Sequence, residues 1–147
     1  MKKLFIITLL AIIGTVAAMA QKNLDIGPFF EKEMISQKGV SMISYFDWEI
    51  EGHTVKAYKS ITIADNKALA DKVRTAVGRD GAKAEIKETS FKDGQLYFGF
   101  YSLGGKRDSQ QYVLYLNRRP IGEEKTTLIY IEGDVDSRFV RNMLKLK

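Results

Sequence analysis

Apolar side chains alternate with polar ones through much of the region that follows Ala82. Four segments carry this pattern, and short polar connections separate them: "AKAEIKE", "QLYFGFYSL", "QQYVLYLNR" and "TTLIYIE". A period of two places successive side chains on opposite faces of a strand, whereas a helix requires a period near 3.6. Because short connections suit antiparallel neighbours, the region predicts a meander of four antiparallel strands.

The connection "KDG" between the first two of these strands allows two registers. A two-residue loop would place Lys87 opposite Phe100, whereas a three-residue loop would place Ile86 opposite Phe100. We expect the three-residue loop, with Gly94 at positive φ, because it pairs one apolar side chain with another.

Two further strands are expected before this region. The segments "VSMISYFDWEI" and "TVKAYKSITI" are rich in β-branched and aromatic residues, and the polar break Glu51-Gly52-His53 separates them. This arrangement predicts a β-hairpin.

Three helices complete the predicted elements. A short one is expected in "GPFFEKEMISQKG", where Pro28 suits a first helical position. A second begins at Asp65 or Asn66 as its cap and ends at Gly78, and its apolar face holds Leu69, Val73, Ala76 and Val77. The last begins at about Ser137. Six strands and three helices in this order predict an α+β fold with a predominantly antiparallel sheet and helices packed mainly on one face.

The first twenty residues have the pattern of a secretory signal peptide. Lys2 and Lys3 precede the uncharged run "LFIITLLAIIGTVAA", and the small residues of Ala18-Met19-Ala20 follow it. Residues 4 to 20 would almost span a bilayer as a retained anchor, for which about 17 residues is the lower limit. We expect cleavage after Ala20 instead, because the small residues stand where a signal peptidase cuts. The prediction is an exported protein of the periplasm or cell envelope, with residues 21–147 forming one domain and no membrane span after cleavage.

Composition narrows the function further. The chain has no cysteine, so it forms no disulfide and its core must hold the fold. It has 23 Lys and Arg against 18 Asp and Glu, and removal of residues 1–20 leaves 21 against 18, a net charge of +3. So small and scattered an excess does not indicate a nucleic-acid partner.

The segment "LIYIEGDVDSRF" holds the densest group of acidic residues, Glu132, Asp134 and Asp136. A calcium loop that starts at Asp134 fails, because Phe139 and Lys145 occupy its sixth and twelfth positions. A magnesium site built from carboxylates alone stays open. We expect instead that Asp136 caps the last helix and that Asp134 adds negative charge near the positive helix end.

His53 is the only histidine, and we expect it in a surface loop rather than in a catalytic triad. The aromatic segment "YFGFYSLGGKRDSQQYVLY" lacks the basic residue and glycine that open the RNA-recognition motif. We therefore interpret it as half-buried strands, with four tyrosines left as possible surface binders: Tyr97, Tyr101, Tyr112 and Tyr115.

Two groups of cations are weak candidates for an acidic partner. Arg118 and Arg119 lie at a strand end, and Arg138, Arg141 and Lys145 fall three and four residues apart along the last helix. A solvated helix face with cations near its C-terminus is the commoner explanation of the second group.

The succession of parts resembles a family of small exported Bacteroidetes proteins of unknown function. A "PFFEKEM" helix leads into "GVSMISY", and a late strand that ends in Gly-Asp-Val-Asp precedes a terminal helix in "LIYIEGDVDSRFVRNML". The resemblance covers most of the mature chain, although we do not associate the segment "EGHTVKAYKSITI" with that family. It implies export and supplies no activity, cofactor or catalytic residue.

The sequence hypothesis is therefore an exported, non-enzymatic binding or structural protein without a cofactor or metal. Its partner would be an unknown envelope protein or a small ligand. One alternative is a carboxylate-dependent hydrolase or lyase that uses Asp134 and Asp136, and another is a regulatory partner of a second envelope protein. The candidate site residues are Asp134, Asp136, His53, Arg118 and Arg119.

Overall fold

The computed structural model describes residues 24–146, so the predicted signal peptide and the predicted mature start at Gln21 lie outside the described residues. The described part contains six strands: β1 Val40–Ile50, β2 His53–Ala64, β3 Ile86–Lys92, β4 Gln95–Lys106, β5 Ser109–Asn117 and β6 Lys125–Gly133. It contains two α-helices, α1 Lys67–Gly81 and α2 Ser137–Met143. Three short 3₁₀ helices span Gly27–Phe30, Lys32–Ser36 and Arg119–Ile121.

The six strands form one open sheet in the order β1-β2-β6-β5-β4-β3. Each pair of neighbours is antiparallel. The predicted meander from β3 to β6 and the predicted hairpin of β1 and β2 are both confirmed, as is the α+β class. Strand β6 lies between β2 and β5 and so joins the hairpin to the meander.

Both faces of the sheet carry a buried apolar layer, and β6 contributes to each. Leu128 and Tyr130 pack in the layer that α1 covers, whereas Ile129 and Ile131 pack in the layer that α2 covers. We call these two sides of the sheet the α1 face and the α2 face. Their separation follows from the strand period of two, which points neighbouring side chains in opposite directions.

The helices differ from the prediction in number and in placement. Residues 27–36 form two 3₁₀ helices rather than one α-helix, because Glu31 between them adopts an extended conformation with ψ 145°. A segment this short gains too few helical bonds to offset the cost of starting an α-helix. This segment and α1 pack on the same face of the sheet, whereas α2 packs on the opposite face. The prediction that the helices pack mainly on one face is therefore correct for two of the three helical segments.

Helix α1 begins as predicted, because the Asn66 side chain accepts a hydrogen bond from the backbone N–H of Leu69 at 3.2 Å. The predicted end at Gly78 is wrong, since the helix continues to Gly81. The last turn contains Asp80, which is 1% exposed and binds two backbone N–H groups outside the helix. Those bonds attach the last turn of α1 to the backbone of Asp25 and Ile26.

The turn from β3 to β4 is the two-residue loop, so the predicted three-residue loop is wrong. Lys92 pairs directly with Gln95, and a register shift after Ser90 places Glu88 opposite Phe100. The prediction of positive φ at Gly94 is confirmed, and φ is positive at Asp93 too. Two positive φ values define the turn whose twist best matches a hairpin. Because β3 is exposed along its whole length, burial does not select the register there.

Gly133 is required where β6 passes closest to β2. A Cβ atom at this position would overlap the backbone carbonyl oxygen of Thr54, and backbone atoms cannot move aside as a flexible side chain can. The backbone N–H of Asp134 donates to the same carbonyl oxygen at 3.0 Å. The residue therefore allows the strand to end in close contact with its neighbour.

We predict that Gly133→Ala lowers the free energy of unfolding by about 2 kcal/mol, because the added methyl group forces the two backbones apart. Gly78→Ala is the matched control: it lies within α1 and a Cβ atom there meets nothing within 4 Å. That variant should gain about 0.5 to 1 kcal/mol from helix propensity. Urea unfolding of both proteins measures the difference, and equal stability of the two variants would contradict the assigned role of Gly133.

Candidate functional site

A pocket of about 730 Å³ opens on the α1 face, between the N-terminal segment, helix α1 and strand β2. Its volume falls within the range of small-molecule sites, about 300 to 1,000 Å³. The lining residues come from three parts of the chain: Leu24, Asp25 and residues 27–31 from the N-terminal segment, Lys59 from β2, and Lys72, Thr75, Ala76 and Arg79 from α1.

The N-terminal segment forms a complete wall of this pocket, and Asp80 holds it in place. The two carboxylate oxygens of Asp80 accept hydrogen bonds from the backbone N–H groups of Asp25, at 2.8 Å, and Ile26, at 2.9 Å. Burial raises the pKa of the Asp80 carboxyl, while the two backbone N–H groups oppose that rise. Ile26 and Phe30 add apolar contacts with the core below. The wall is thus fixed by both polar and apolar contacts.

Apolar surface makes up much of the lining. Leu24, Pro28, Phe29 and Phe30 face the pocket from the wall, and Ala76 faces it from α1. Binding of an apolar ligand group to such a surface is favoured by about 25 cal/mol for each Å² of apolar surface removed from water.

Three cations and two acids share the same lining. Lys59 comes from the sheet, and Lys72 and Arg79 lie two turns apart on α1. Arg79 pairs with Asp25, with 3.7 Å between Nη1 and Oδ2. The lining itself has three cations and two acids, and the buried Glu132 adds a negative charge beside Lys59. The pocket therefore offers cations to a negatively charged ligand group from the sheet and from the helix.

Lys59 is the most enclosed of these cations. It occupies a core-facing position of β2, and its Nζ atom lies 5.5 Å from the centre of the Phe46 ring. Burial lowers the pKa of Lys59 below its ordinary value of 10.5, and the negative charge of Glu132 partly opposes that shift. A charged group in so dry a place interacts more strongly with an anion than an exposed lysine does.

A buried polar pair lies beside Lys59 in β6. The hydroxyl of Tyr130 donates to Oε1 of Glu132 at 2.7 Å, and Gln111 bonds the same tyrosine. Burial, followed by the charge of Glu132, raises the pKa of Tyr130, so its hydroxyl stays protonated and keeps donating. The Tyr130 ring packs against Phe30 of the wall, with 6.3 Å between ring centres.

The acidic group found in the sequence divides between two environments. Glu132 is 3% exposed and belongs to the α1 face, whereas Asp134 and Asp136 are exposed beyond the end of β6. Within residues 24–146, no group of three or more histidine, cysteine and acidic residues has the geometry to hold a metal ion.

Asp134 and Asp136 instead line a second cleft, of about 380 Å³, together with His53. Arg107, Gln110, Tyr112 and Val135 complete its lining. The His53 ring nitrogen Nδ1 lies 3.2 Å from the backbone carbonyl oxygen of Asp134. Because a carbonyl oxygen only accepts, Nδ1 carries the hydrogen in this contact, which in the neutral ring leaves Nε2 as an acceptor.

The predicted cap at Asp136 is confirmed. Its Oδ1 atom accepts the backbone N–H of Phe139 at 2.8 Å, three residues into α2. Tyr112 donates its hydroxyl to the carbonyl oxygen of Val135 at 2.8 Å and fixes the approach to the helix. The rings of His53 and Phe139 are in contact, with 4.4 Å between their centres, and this contact joins the start of β2 to α2.

The candidate arginines lie away from both cavities, at the loop between β5 and β6. Arg119 has a side chain 13% exposed and bonds Asp71 of α1 at 2.8 Å. Arg118 lies 4.0 Å from Glu123 in the same loop. The bond to Arg119 lowers the pKa of Asp71, as expected for a carboxylate that stabilises the docking of a loop on a helix.

The other surface candidates are mostly engaged in packing. Tyr101, Tyr112 and Tyr115 are buried, so their prediction as surface binders is wrong, and only Tyr97 is half-buried. The predicted stripe on the last helix is interrupted: Arg141 bonds Glu88 of β3 and covers the Phe100 ring, and Lys145 lies past the helix end.

The pocket cations Lys59, Lys72 and Arg79 were not predicted from the sequence. One signal was present: Lys59 has the same parity in β2 as Ala57, Ile61 and Ile63, all of which are buried. A lysine at a core-facing strand position indicates a cavity or a partner nearby. Lys72 and Arg79 also lie seven residues apart, on one side of a helix.

Comparison with known families shows which family the chain matches. The model described as "Family of unknown function (DUF6108)" matches residues 13–144. Searches of curated proteins and of solved structures gave no match. Among the described residues, no helix has the length and apolar character needed to cross a membrane.

We predict that Asp136→Ala lowers the free energy of unfolding by about 1 kcal/mol, because it leaves the N–H of Phe139 without its cap. Asp134→Ala should change stability by no more than about 0.5 kcal/mol, since its side chain is exposed. Thermal unfolding with and without millimolar Mg²⁺ or Ca²⁺ is the measurement. A cation-dependent rise in melting temperature that both substitutions remove would show that the carboxylates bind metal rather than serve the helix.

Proposed function

The chain belongs to the family of unknown function DUF6108, and we propose that it is an exported, non-enzymatic binding protein of the periplasm or cell envelope. Its ligand is a small amphipathic anion, held in the pocket on the α1 face. The observation that carries the proposal is the combination, in one cavity of about 730 Å³, of apolar walls with an enclosed lysine.

The pocket distinguishes ligand classes by charge. Lys59 lies in the sheet and Lys72 lies on the helix that covers it, so the pocket has a lysine on each of two sides. A carboxylate accepts hydrogen bonds from both, and bonds that involve charged partners are worth about twice those between neutral groups. The apolar tail of the ligand then packs against Leu24, Phe29 and Phe30.

Export is compatible with the architecture of the pocket. Among the described residues, the first that lines the pocket is Leu24, three residues after Gln21, the predicted start of the mature chain. Cleavage after Ala20 would therefore remove the apolar run and keep each described residue that lines the pocket. Absence of cysteine agrees with a fold that depends on its two apolar layers.

Expression of the full chain in a Gram-negative bacterium tests the export step. We expect the periplasmic fraction to contain a protein whose N-terminal residue is Gln21, because the signal peptidase reads the small residues of Ala18-Met19-Ala20. Intact-mass spectrometry and N-terminal sequencing give the answer. A chain that keeps Met1 and stays in the membrane fraction would be an anchored protein and would contradict the proposal.

Calorimetric titration with decanoate tests the ligand class. Decanoate should bind, whereas 1-decanol, with the same tail and no charge, should bind at least about tenfold more weakly because its hydroxyl has no negative charge to pair with a lysine. Lys59→Met should reduce affinity for decanoate by about tenfold, and it keeps the apolar stem of the lysine. Lys87→Met, at an exposed position of β3, is the control and should bind as the parent does.

The pH dependence of decanoate binding provides a second readout. Decanoate is ionised throughout the range above neutrality, since carboxyl groups have pKa values of about 4. Burial lowers the pKa of Lys59, so the lysine loses its proton and affinity falls as pH rises toward 10.5. Lys59→Met should flatten this fall. Equal binding of decanoate and decanol, or equal loss in the two lysine variants, would refute an anion site.

The second cleft supports another candidate, a carboxylate-dependent hydrolase or lyase. One observation favours it: Asp134 and Asp136 share a cavity with His53, whose Nε2 is available as an acceptor. The cap formed by Asp136 weighs against it, because that carboxylate already stabilises α2. Turnover of a panel of ester, glycoside and phosphate substrates, lost on Asp134→Asn with stability unchanged, would favour this candidate over the binding protein.

A further inference from the structure

Strand β1 forms one edge of the sheet, and among the described residues it pairs on one side only, with β2. The outer backbone N–H and C=O groups of an edge strand are available to another strand. In β1 the stretch from Val40 to Phe46 pairs with β2 without a register shift, and φ becomes positive only at Asp47. The N–H of Val40 donates to Gln37 at 3.4 Å, so the open stretch is Ser41 to Phe46. Six regular residues are long enough for a strand pair, since strands average about five or six residues.

The two edges of the sheet differ in their protection against pairing. Strand β3, at the other edge, has Lys87 and Lys92, and its Glu88 bonds Arg141 of α2. Strand β1, "VSMISYFDWEI", has no lysine, arginine or proline. Those residues are the ones with which proteins prevent edge strands from pairing. Their absence from β1 leaves this edge open to a partner.

Apolar side chains are exposed beside the same edge, on the α2 face. Ile43 is 52% exposed, Tyr45 is 53% exposed and Trp48 is 37% exposed. Tyr45 and Trp48 contact each other, with 5.5 Å between ring centres, and both contact Tyr58 of β2. Exposed apolar residues in one continuous group mark interaction surfaces more often than isolated ones do.

We propose that β1 pairs with β1 of a second copy of the chain, antiparallel and about a two-fold axis that passes between the two Ile43 residues. The pairing joins the two six-stranded sheets into one continuous sheet. Such an interface is isologous, which means that both copies use the same surface. If one residue of the first copy contacts another residue of the second copy, the same contact occurs with the two copies exchanged.

Side-chain size supports this register. With Ile43 opposite Ile43, Tyr45 of one copy lies opposite Ser41 of the other, so a large side chain meets a small one. On the other face Phe46 lies opposite Val40. Directly opposite side chains in an antiparallel pair lie about 4.5 to 5.5 Å apart, close enough to pack. The exposed group of each copy thereby becomes one strip across the two-fold axis.

Charge supports the antiparallel direction. Lys38 precedes β1, whereas Asp47 and Glu49 lie toward its end. In an antiparallel pair about Ile43, Lys38 of one copy lies near the end of β1 of the other copy, where these two acids lie. A parallel arrangement would place acid beside acid, and like charges opposite each other destabilise a sheet. The strand is thus complementary in charge to an inverted copy of itself.

Disulfide trapping tests the register, because the chain has no cysteine of its own. In the proposed dimer the two Cα atoms of Ile43 are about 4.5 to 5.5 Å apart, a spacing that a disulfide bridges. Under mild oxidation the full chain carrying Ile43→Cys, in the form that the expressing cell produces, should become mostly a covalent dimer. Thr89→Cys, at the exposed edge β3, is the control and should form no covalent dimer.

A mixture of two further variants fixes the alignment. Ser41→Cys and Tyr45→Cys should cross-link to each other when mixed. Ser41→Cys alone should not, because its two copies lie about 13 Å apart along the strands. Cross-linking of Ile43→Cys no greater than that of Thr89→Cys would overturn the proposal, as would efficient self-linking of Ser41→Cys.

Sedimentation equilibrium of the unmodified chain gives an independent result. We expect a dimer, and a folded monomer for Ile43→Lys, because a side chain that is about half exposed can be replaced by lysine without loss of the fold. A monomeric parent protein at 0.1 to 1 mM (roughly the upper range of weak association) would overturn the proposal, and so would a dimer that Ile43→Lys leaves intact. The pocket lies on the other face, so decanoate binding is expected to be unaffected by Ile43→Lys.

Discussion

The burial of β6 on both faces is the constraint on which the rest of the fold depends. Leu128 and Tyr130 pack on one side of this strand, and Ile129 and Ile131 pack on the other. Full burial of each such side chain stabilises the folded state by about 1.5 to 3 kcal/mol. A sheet whose central strand is apolar on both sides needs cover on both sides, and this explains why α1 and α2 lie on opposite faces.

Cover on the α1 face comes from two parts of the chain that are far apart in sequence. Helix α1 covers one part of the apolar layer, and the N-terminal segment covers another through Ile26 and Phe30. Asp80 joins the two covers through its bonds to Asp25 and Ile26. The pocket lies where the covers meet above Lys59, so its shape depends on a carboxylate that is not part of its lining.

Local signals in the sequence were sufficient for much of the fold. Alternation predicted the strands, and the positions of Asn66 and Asp136 predicted the starts of both helices, because capping involves residues only three positions apart. Alternation does not indicate which face a helix covers, since that depends on the sheet as a whole. The continuation of α1 past Gly78 was missed for a related reason: Asp80 binds Asp25, 55 residues away.

The site was harder to predict than the fold. The sequence drew attention to His53, Asp134 and Asp136, which do share a cleft, but Asp136 serves as a cap there. The pocket cations gave a weaker signal, because a lysine in a strand indicates a cavity only when the residues two positions away on the same face are known to be buried. For Lys59, the burial of those residues follows from the pairing of β2 with β6, which the sequence alone does not show.

In the proposed function, the pocket on the α1 face holds an amphipathic anion by its head and its tail. A crystal structure of the chain with decanoate tests it most directly. We expect the carboxylate within hydrogen-bond distance of Nζ of Lys59, about 2.7 to 3.2 Å, with the alkyl chain between Phe29 and Ala76. Decanoate in the cleft beside His53, or a pocket that stays without ligand at saturating decanoate, would contradict the account.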